Sequence, residues 1–575
     1  MRKFFILAMA EVVLMAGCST DSGKAVDATA ETSGPADVAA DLAREVVPAE
    51  LVTGSETAGE VAASDVVAEP EWSTCPDEPL ATVETLAEKA AFYDDIAARL
   101  HIHPDLKWIA NVRLKKQEVE CPDGAEPPCF EPVASLEEAT WADVETFHSG
   151  ENDGLWSGMY LASQAYRYAV TQSPEALATI KLLLEGEKAR MAVTGVPGLF
   201  TRQFIPAGVD GISCPANDEE YVVDVEKDDN QWVRIEDDGC VWVVNNETLE
   251  WEGTDHCGLD EFAGWCWLDN VSQDEYGGHM LALGALLRLV DDAEVQATVR
   301  DLLEQVGVHL MENQLTFVDW DGRITEHGWL FPMAMANTPG FLAIESLAWM
   351  RMAVEASDRA DLKDFYDNCL LQKGGEKQCL DWPLQEPRPF TDYFYLTALY
   401  NGIDGCLTNF NNVSMLTSAY QGMLMYEEDP AVRLLVLQAF ADEVVAFDSP
   451  KSTQHLANPW YSFAWAAVRE GAPDAGTQKM VEEAVCTLRQ FPATQATPDL
   501  DSAALYEHYC DSRLGASMTE FPIPAAYRCP STFLFWGNPF VRHKCTAQPW
   551  EVRQPGEYLL AYWMGRYHGF VSGDL

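Results

Sequence analysis

Positive charge is scarce in this chain: its 575 residues hold 37 lysines and arginines against 92 aspartates and glutamates, a formal net charge of −55. Such a balance repels phosphates, which excludes nucleic acid held by an electrostatic footprint. It points instead to neutral, cationic or metal-bridged ligands. Long apolar runs are lacking as well. Beyond the N-terminus the best candidate, 340–356, is interrupted by Glu345 and Arg351, which argues against a membrane span. From Ser19 to Glu71 there is no aromatic residue, isoleucine, methionine or cysteine. A segment of that composition cannot bury enough apolar area to offset its ordering entropy, so 19–74 is expected to be a disordered acidic tether. As a flexible coil it would reach roughly 40 Å r.m.s., and further with charge repulsion. No P-loop, HExxH, CxxC knuckle or Ser-His-Asp arrangement occurs, and the corresponding chemistries lose their usual signatures.

The N-terminus carries the parts of an export signal. Arg2 and Lys3 precede an apolar stretch from Phe4 to Met15, in which Glu11 is unusual. Leu14-Met15-Ala16-Gly17-Cys18 follows. This resembles the bacterial lipobox, with Met15 where leucine is common. The resemblance implies residues 1–18 as a lipoprotein signal peptide, lipidation at Cys18, and, through Ser19, an outer-membrane or cell-surface lipid anchor. The membrane is then contacted through the lipid alone. Cysteine usage supports the same compartment. Of 15 cysteines, 14 remain apart from Cys18, and an even set in an exported chain is expected to pair. The close spacings Cys121/Cys129, Cys257/Cys266 and Cys369/Cys379 read as local staples, while the full connectivity stays open.

Beyond the tether the composition changes, and all 18 tryptophans lie from Trp72 onward. Residues 75–575 are long enough for one large domain or two fused ones. Helix starts recur: Ser173-Pro174, Gln273, Asp292, Thr338-Pro339, Thr391, Asn411, Asp429-Pro430 and Asp474. Short turns between them suggest helical hairpins. Strand signal gathers in 221–251, within a β-rich insertion near 205–265, and in 315–329, which reads as a hairpin about Asp321-Gly322. The fold expected is mainly α, an (α/α) toroid of helical hairpins with a small β-containing insertion.

Two segments concentrate chemistry. In the first, Asp153, Trp156, Tyr160, Gln164 and Arg167 open and line one helix, the last four sharing a face at i, i+4, i+8 and i+11. Aromatic rings beside hydrogen-bonding groups suit a sugar, which offers CH faces and hydroxyls. A core helix capped by Asn152 or Asp153 explains the same residues equally well. The second segment runs from Trp265 to His279 and holds Trp267, Asp269, Asp274, Glu275 and His279. Acidic residues in a first helical turn are also favoured by the helix dipole alone.

The Asn-Asp-Gly-Leu-Trp at Asn152, Thr-Gly-Val-Pro-Gly at Thr194, Ser-Gln-Asp-Glu-Tyr-Gly-Gly-His at Ser272 and Asp319-Trp320-Asp321-Gly322 resemble motifs of a little-characterised group of secreted bacterial proteins. So does the ending Tyr562-Trp563-Met564-Gly565-Arg566-Tyr567-His568-Gly569. That group is similar in turn to the six-hairpin (α/α) toroid glycosidases. The resemblance implies a central cleft lined by the ends of inner helices, and a surface-anchored glycoside hydrolase-like protein. Hydrolysis needs one protonated and one ionised carboxyl. Asp153 and Asp274 are the expected pair, with Glu275 as alternate acid and His279 tuning either. Trp156, Tyr160, Gln164, Arg167 and Trp267 are the expected substrate-binding residues. A polysaccharide lyase, with Tyr160 or His279 as base and Arg167 as neutraliser, and a non-catalytic glycan- or envelope-binding lipoprotein are the alternatives. No cofactor is called for, and the acidic turn Asp319–Asp321 is the candidate for a structural calcium.

Overall fold

Most of the described helices begin where a short polar side chain or a proline stands at the first turn. The computed structural model describes residues 85–573 except 122–126, 149–151, 210–211, 224–229, 336–337, 398–408, 447–451, 470–472, 492–495 and most of 498–547. All described residues belong to one unit, Ser73–Leu575. The export signal, Cys18, the whole of the expected tether, and Tyr506–His508 lie outside them.

Helix α1 (Leu86–Ile96) starts with a reciprocal capping box between Thr85 and Glu88. Ser173 caps α3 (Pro174–Ala192) by accepting from the Ala176 N–H, with proline in the first turn. Between them lies α2 (Asp153–Thr171). Ser272 and Glu275 form a second capping box at α4 (Gln273–Leu289), and Asp292 caps α5 (Ala293–Glu312). The run that the sequence leaves too polar for a membrane is α6 (Pro339–Ala356), buried almost throughout. There follow α7 (Ala360–Asp364), α8 (Phe410–Tyr426), α9 (Pro430–Phe440), α10 (Pro459–Val468), α11 (Ala475–Gln490) and α12 (Gly556–Tyr567). No described helix is long and apolar enough to cross a membrane.

The chain is mainly helical, as expected. Helix α2 packs along α4 on one side and α12 on the other. Helix α4 also meets α5 and α8, α6 meets α5 and α8, and α8 meets α9 and α10. Helix α10 meets α11 and α12, and α12 returns to α1. At the α2–α4 crossing the backbones meet closely, because a Cβ on Gly158 would lie 2.1 Å from the Gly278 carbonyl oxygen. Only a residue without a side chain fits there.

Lys89 ties α1 to the end of α11. Its ammonium is buried and donates to the carbonyls of Leu488, Arg489 and Phe491 at the end of α11. Burial lowers its pKa to about 7. A cation over a helix C-terminus satisfies carbonyls that have no partner within the helix.

The strands form small sheets beside the helices. Six strands lie between Gln203 and Leu268: β5 (Gln203–Ile205), β6 (Val222–Val223), β7 (Trp232–Ile235), β8 (Cys240–Asn245), β9 (Trp251–Cys257) and β10 (Cys266–Leu268). The order is β5-β10-β7-β8-β6, with β9 also on β8, and β6–β8 is the parallel pair. Earlier in the chain come β1 (Asn111–Leu114), β2 (Lys116–Val119), β3 (Cys129–Pro132) and β4 (Val144–His148). The late strand Gln548–Val552 pairs antiparallel with β1. The Asp-Gly hairpin is present as β11 (Thr316–Val318) and β12 (Ile324–Trp329).

Four described disulfides staple the unit: Cys121–Cys129, Cys214–Cys266, Cys240–Cys257 and Cys369–Cys379. Two of the expected local staples form and Cys257/Cys266 does not. Cys257 faces Cys240 directly across the β8–β9 ladder, and Cys266, on β10, reaches back to Cys214. Strand pairing overrides nearness in sequence. Cys486 is also disulfide-bonded.

Candidate functional site

The first turn of α4 splits its residues between two environments. Glu275 turns into the α2–α4 crossing and is fully buried. Its Oε2 accepts from the Ser272 N–H at 3.0 Å and lies 3.4 Å from the Arg202 guanidinium. Arg202 also donates from Nε to the Asn270 carbonyl and from NH1 to Asn152 Oδ1. One cation therefore ties the starts of α2 and α4 together. Asp153, 3 % exposed, and Glu187 share the field of a second buried cation, Arg190, whose guanidinium lies 3.7 Å above the Trp108 ring. Burial lowers the Arg190 pKa to about 10, and the three carboxylates Glu187, Asp153 and Glu275 oppose that. His279 completes the cluster. Its Nδ1 is 2.6 Å from Glu187, its ring stacks on Phe200 at 4.2 Å, and Gly154 packs against its far edge.

Asp274 faces the other way and keeps part of its side chain at the surface. Its Oδ1 accepts from Asn411 Nδ2 at 3.0 Å, at the start of α8. Burial raises its pKa, while His327, Arg202 and the Asn411 hydrogen bond pull it back. The second carboxyl here is Glu345 of α6. It is 1 % exposed, and neither of its oxygens has a hydrogen-bond partner. Burial pushes its pKa well above the usual carboxylate range, and the nearby Asp274 charge adds to the effect. Three helices thus contribute a buried carboxyl whose pKa is raised, a partly exposed carboxyl, and an amide bonded to the latter. That is the minimum for coupled proton donation and acceptance.

A second carboxyl pair, Asp269 and Asp319, clasps the β11–β12 hairpin to the turn before α4. Asp269 Oδ1 accepts from the Gln231 N–H, and its Oδ2 accepts from Trp320 Nε1. Asp319 accepts from the Trp320 and Asn270 N–H groups. Asn270 sits at φ 58°, a left-handed conformation asparagine tolerates, and its Oδ1 accepts from the Glu326 N–H. Burial, with the neighbouring Asp319, holds Asp269 well above the usual range, and burial pushes Asp319 up to about 6.

Of the residues singled out by sequence, Asp153, Glu275 and His279 meet in the buried crossing, and Asp274 stands apart from them with Glu345 and Asn411. The expected sugar face of α2 is occupied by protein. Gln164 donates to Asp94 of α1, Arg167 lies 3.4 Å from Asp94 and over the Trp563 ring, and Tyr160 is 1 % exposed. Trp156 is partly buried against the core, and Trp267 is wholly buried. Asp319 and Asp321, the calcium candidates, are engaged by N–H donors and by Arg323 respectively. No group of three or more metal-binding side chains occurs among the described residues. Sequence reasoning missed Glu345, and the available signal was a lone glutamate inside the apolar run of α6. A separate cavity of about 370 Å³ opens at the opposite ends of α4, α6 and α8, lined by Arg288, Glu355, Tyr426, Glu427 and Arg433. Arg433 is occupied there in capping the Leu424 and Glu427 carbonyls. No protein-family model matches the chain, and no curated protein or solved structure does either.

Proposed function

We propose that this chain is an exported, lipid-anchored carbohydrate-active enzyme that hydrolyses glycosidic bonds, with Glu345 as proton donor and Asp274 as the carboxylate that activates water or attacks carbon. The observation that carries this reading is a buried Glu345 without hydrogen-bond partners, its pKa raised by burial and by the Asp274 charge, with a partly exposed Asp274 on a different helix. Two carboxyls whose environments separate their proton affinities have the relationship glycoside hydrolysis requires. Asp153, Glu275 and His279 act behind them, holding the crossing that aims α4. The alternation of largely buried α2, α4, α6, α8, α10 and α12 with more exposed partners supports reading the helices as an (α/α) toroid. Export is supported by the disulfides, which persist in oxidising compartments.

The test is a glycan panel read by reducing ends and by unsaturated products. Glu345→Gln copies the protonated acid in shape and removes the proton it donates. It is expected to lower the rate by ~10²–10⁴, and Asp274→Asn likewise. Cleavage of a glycan by wild type and both variants at equal rates would reject the assignment. Unsaturated products would move the chemistry to a lyase, and glycan binding without cleavage would move the protein to the binding class.

A further inference from the structure

We propose that the tip of the β11–β12 hairpin is a proton-operated flap on the turn before α4, fastened while Asp269 and Asp319 hold a proton between them and released when both are ionised. This device is independent of the carbohydrate reading.

The hairpin has a fixed base and a separately held tip. At the base, Phe317 is fully buried and stacks on Tyr276 of α4 at 3.8 Å, and the Val318 N–H donates to His309 Nε2 of α5. The tip, from Asp319 to Glu326, meets the turn before α4 through polar contacts. Asn270 donates its N–H to Asp319 Oδ2 at 2.7 Å, and the Glu326 N–H donates to Asn270 Oδ1 at 2.8 Å. Trp320 Nε1 donates to Asp269 Oδ2 at 3.3 Å, and the Arg323 guanidinium lies 3.7 Å from the same oxygen. The two carboxyls are interleaved. Trp320, which binds Asp269, follows Asp319, and Asn270, which binds Asp319, follows Asp269.

Charge decides what fastens the tip. Asp269, Asp319 and Asp321 share one guanidinium, Arg323, whose Nε is already bound to Asp321. The other groups nearby are engaged elsewhere. Arg202 is committed to Glu275 and Asn152, and His256 of β9 to the Thr194 carbonyl. Glu326 and His327 form an exposed pair of their own. Burial keeps Tyr276 neutral and holds the His309 pKa at about 4. Two ionised carboxylates in one buried site repel each other with little solvent between them. Burial accordingly holds Asp269 well above the usual carboxylate range and Asp319 at about 6. Asp319 keeps 7 % of its surface exposed, which gives the proton a way out. In the open tip both carboxyls return toward ordinary values. Opening is therefore rarest below about pH 4 and grows as pH rises to about 6. It frees the Trp320 indole and the Asn270 amide beside the first turn of α4.

The experiment is hydrogen–deuterium exchange on the full chain, resolved to single residues by mass spectrometry at about pH 4.5 and about pH 7 and corrected for the intrinsic rate at each pH. The reporters are the N–H groups of Asn270 and Glu326, which bridge tip and turn; the Val318 N–H, at the base, is the reference. Asp319 alone should raise opening at both reporters about 20-fold between the two pH values, with Val318 changing far less. Asp319→Asn should abolish the rise, and Asp269→Asn should reduce it. Equal protection of the wild-type reporters at both pH values would overturn the proposal, and that comparison stands even where a variant fails to fold. So would a full rise in either variant. A Val318 rise in step with the reporters would also overturn it, because the whole hairpin rather than its tip would then be opening.

Discussion

Replacing Gly158 by alanine tests whether the α2–α4 crossing is set by backbone contact. The added methyl would lie 2.1 Å from the Gly278 oxygen, 2.3 Å from its carbonyl carbon and 2.8 Å from its Cα. All three are backbone atoms, so no rotamer change relieves the clash, and the helices must separate along the line where Glu275, Arg202 and His279 are packed. Overpacking of this kind costs ~1–3 kcal/mol, and rigid neighbours place it at the upper end. Alanine returns ~1 kcal/mol through helix propensity. The expected net loss is about 2 kcal/mol. Gly277→Ala, next to Gly278 on α4, is the internal control, because its methyl would meet only Met415 Cγ at 3.7 Å. That variant should hold its stability or gain up to ~1 kcal/mol. Urea denaturation reports both through the midpoint at constant slope. If Gly158→Ala were as stable as Gly277→Ala, contact at this glycine would not set the spacing of the two helices, and the reasoning would fail.

Stability should respond to pH at the Asp269–Asp319 clasp in the direction opposite to most carboxylates. Both folded pKa values are raised, so this contribution is full below about pH 4 and declines as pH rises through about 6. For Asp319 the shift from 3.8 to about 6 corresponds to about 3 kcal/mol; Asp319→Asn should flatten that decline in urea midpoints measured between pH 4 and 8, and an unchanged profile would remove the clasp as its source. Non-reducing peptide mapping should yield a Cys214–Cys266 fragment and no Cys257–Cys266 fragment. Replacing both Cys214 and Cys266 by serine opens a loop of 52 residues and should cost about 4 kcal/mol by loop entropy, read as a lower urea midpoint.

The helical class was legible because caps such as Ser173-Pro174, Asp292 and Asp429-Pro430 act locally, and local rules need no knowledge of neighbours. The hairpin at Asp321-Gly322 was legible for the same reason. The site was only half legible. Asp274 and Glu275 are adjacent in sequence and equivalent as first-turn acids, yet one helical step sends Glu275 into a glycine-lined crossing and leaves Asp274 facing α6 and α8. Their roles depend on which neighbour each side meets. Glu345 shows the converse limit. Within its own helix it is an irregularity in an apolar run, and its meaning comes from Asp274, 71 residues away. The face of Trp156, Tyr160, Gln164 and Arg167 misled because a polar partner, Asp94, arrives from α1 and satisfies it internally.

The fastening of the last described helix to the first has a mechanical consequence. Tyr558 of α12 donates to the Leu86 carbonyl, Trp563 donates to Asp94, and Gln548–Val552 is paired to β1. A pull applied at the start of α1 therefore meets the C-terminal segment at once, because both described ends of the unit share one joint. An open stack of helix pairs can be peeled one pair at a time from its free end. Here no described end is free to peel, so the joint must shear before any helix pair comes away. In a pulling experiment the unit should rupture in a single large step, and removal of α12 should convert that step into a staircase of smaller ones.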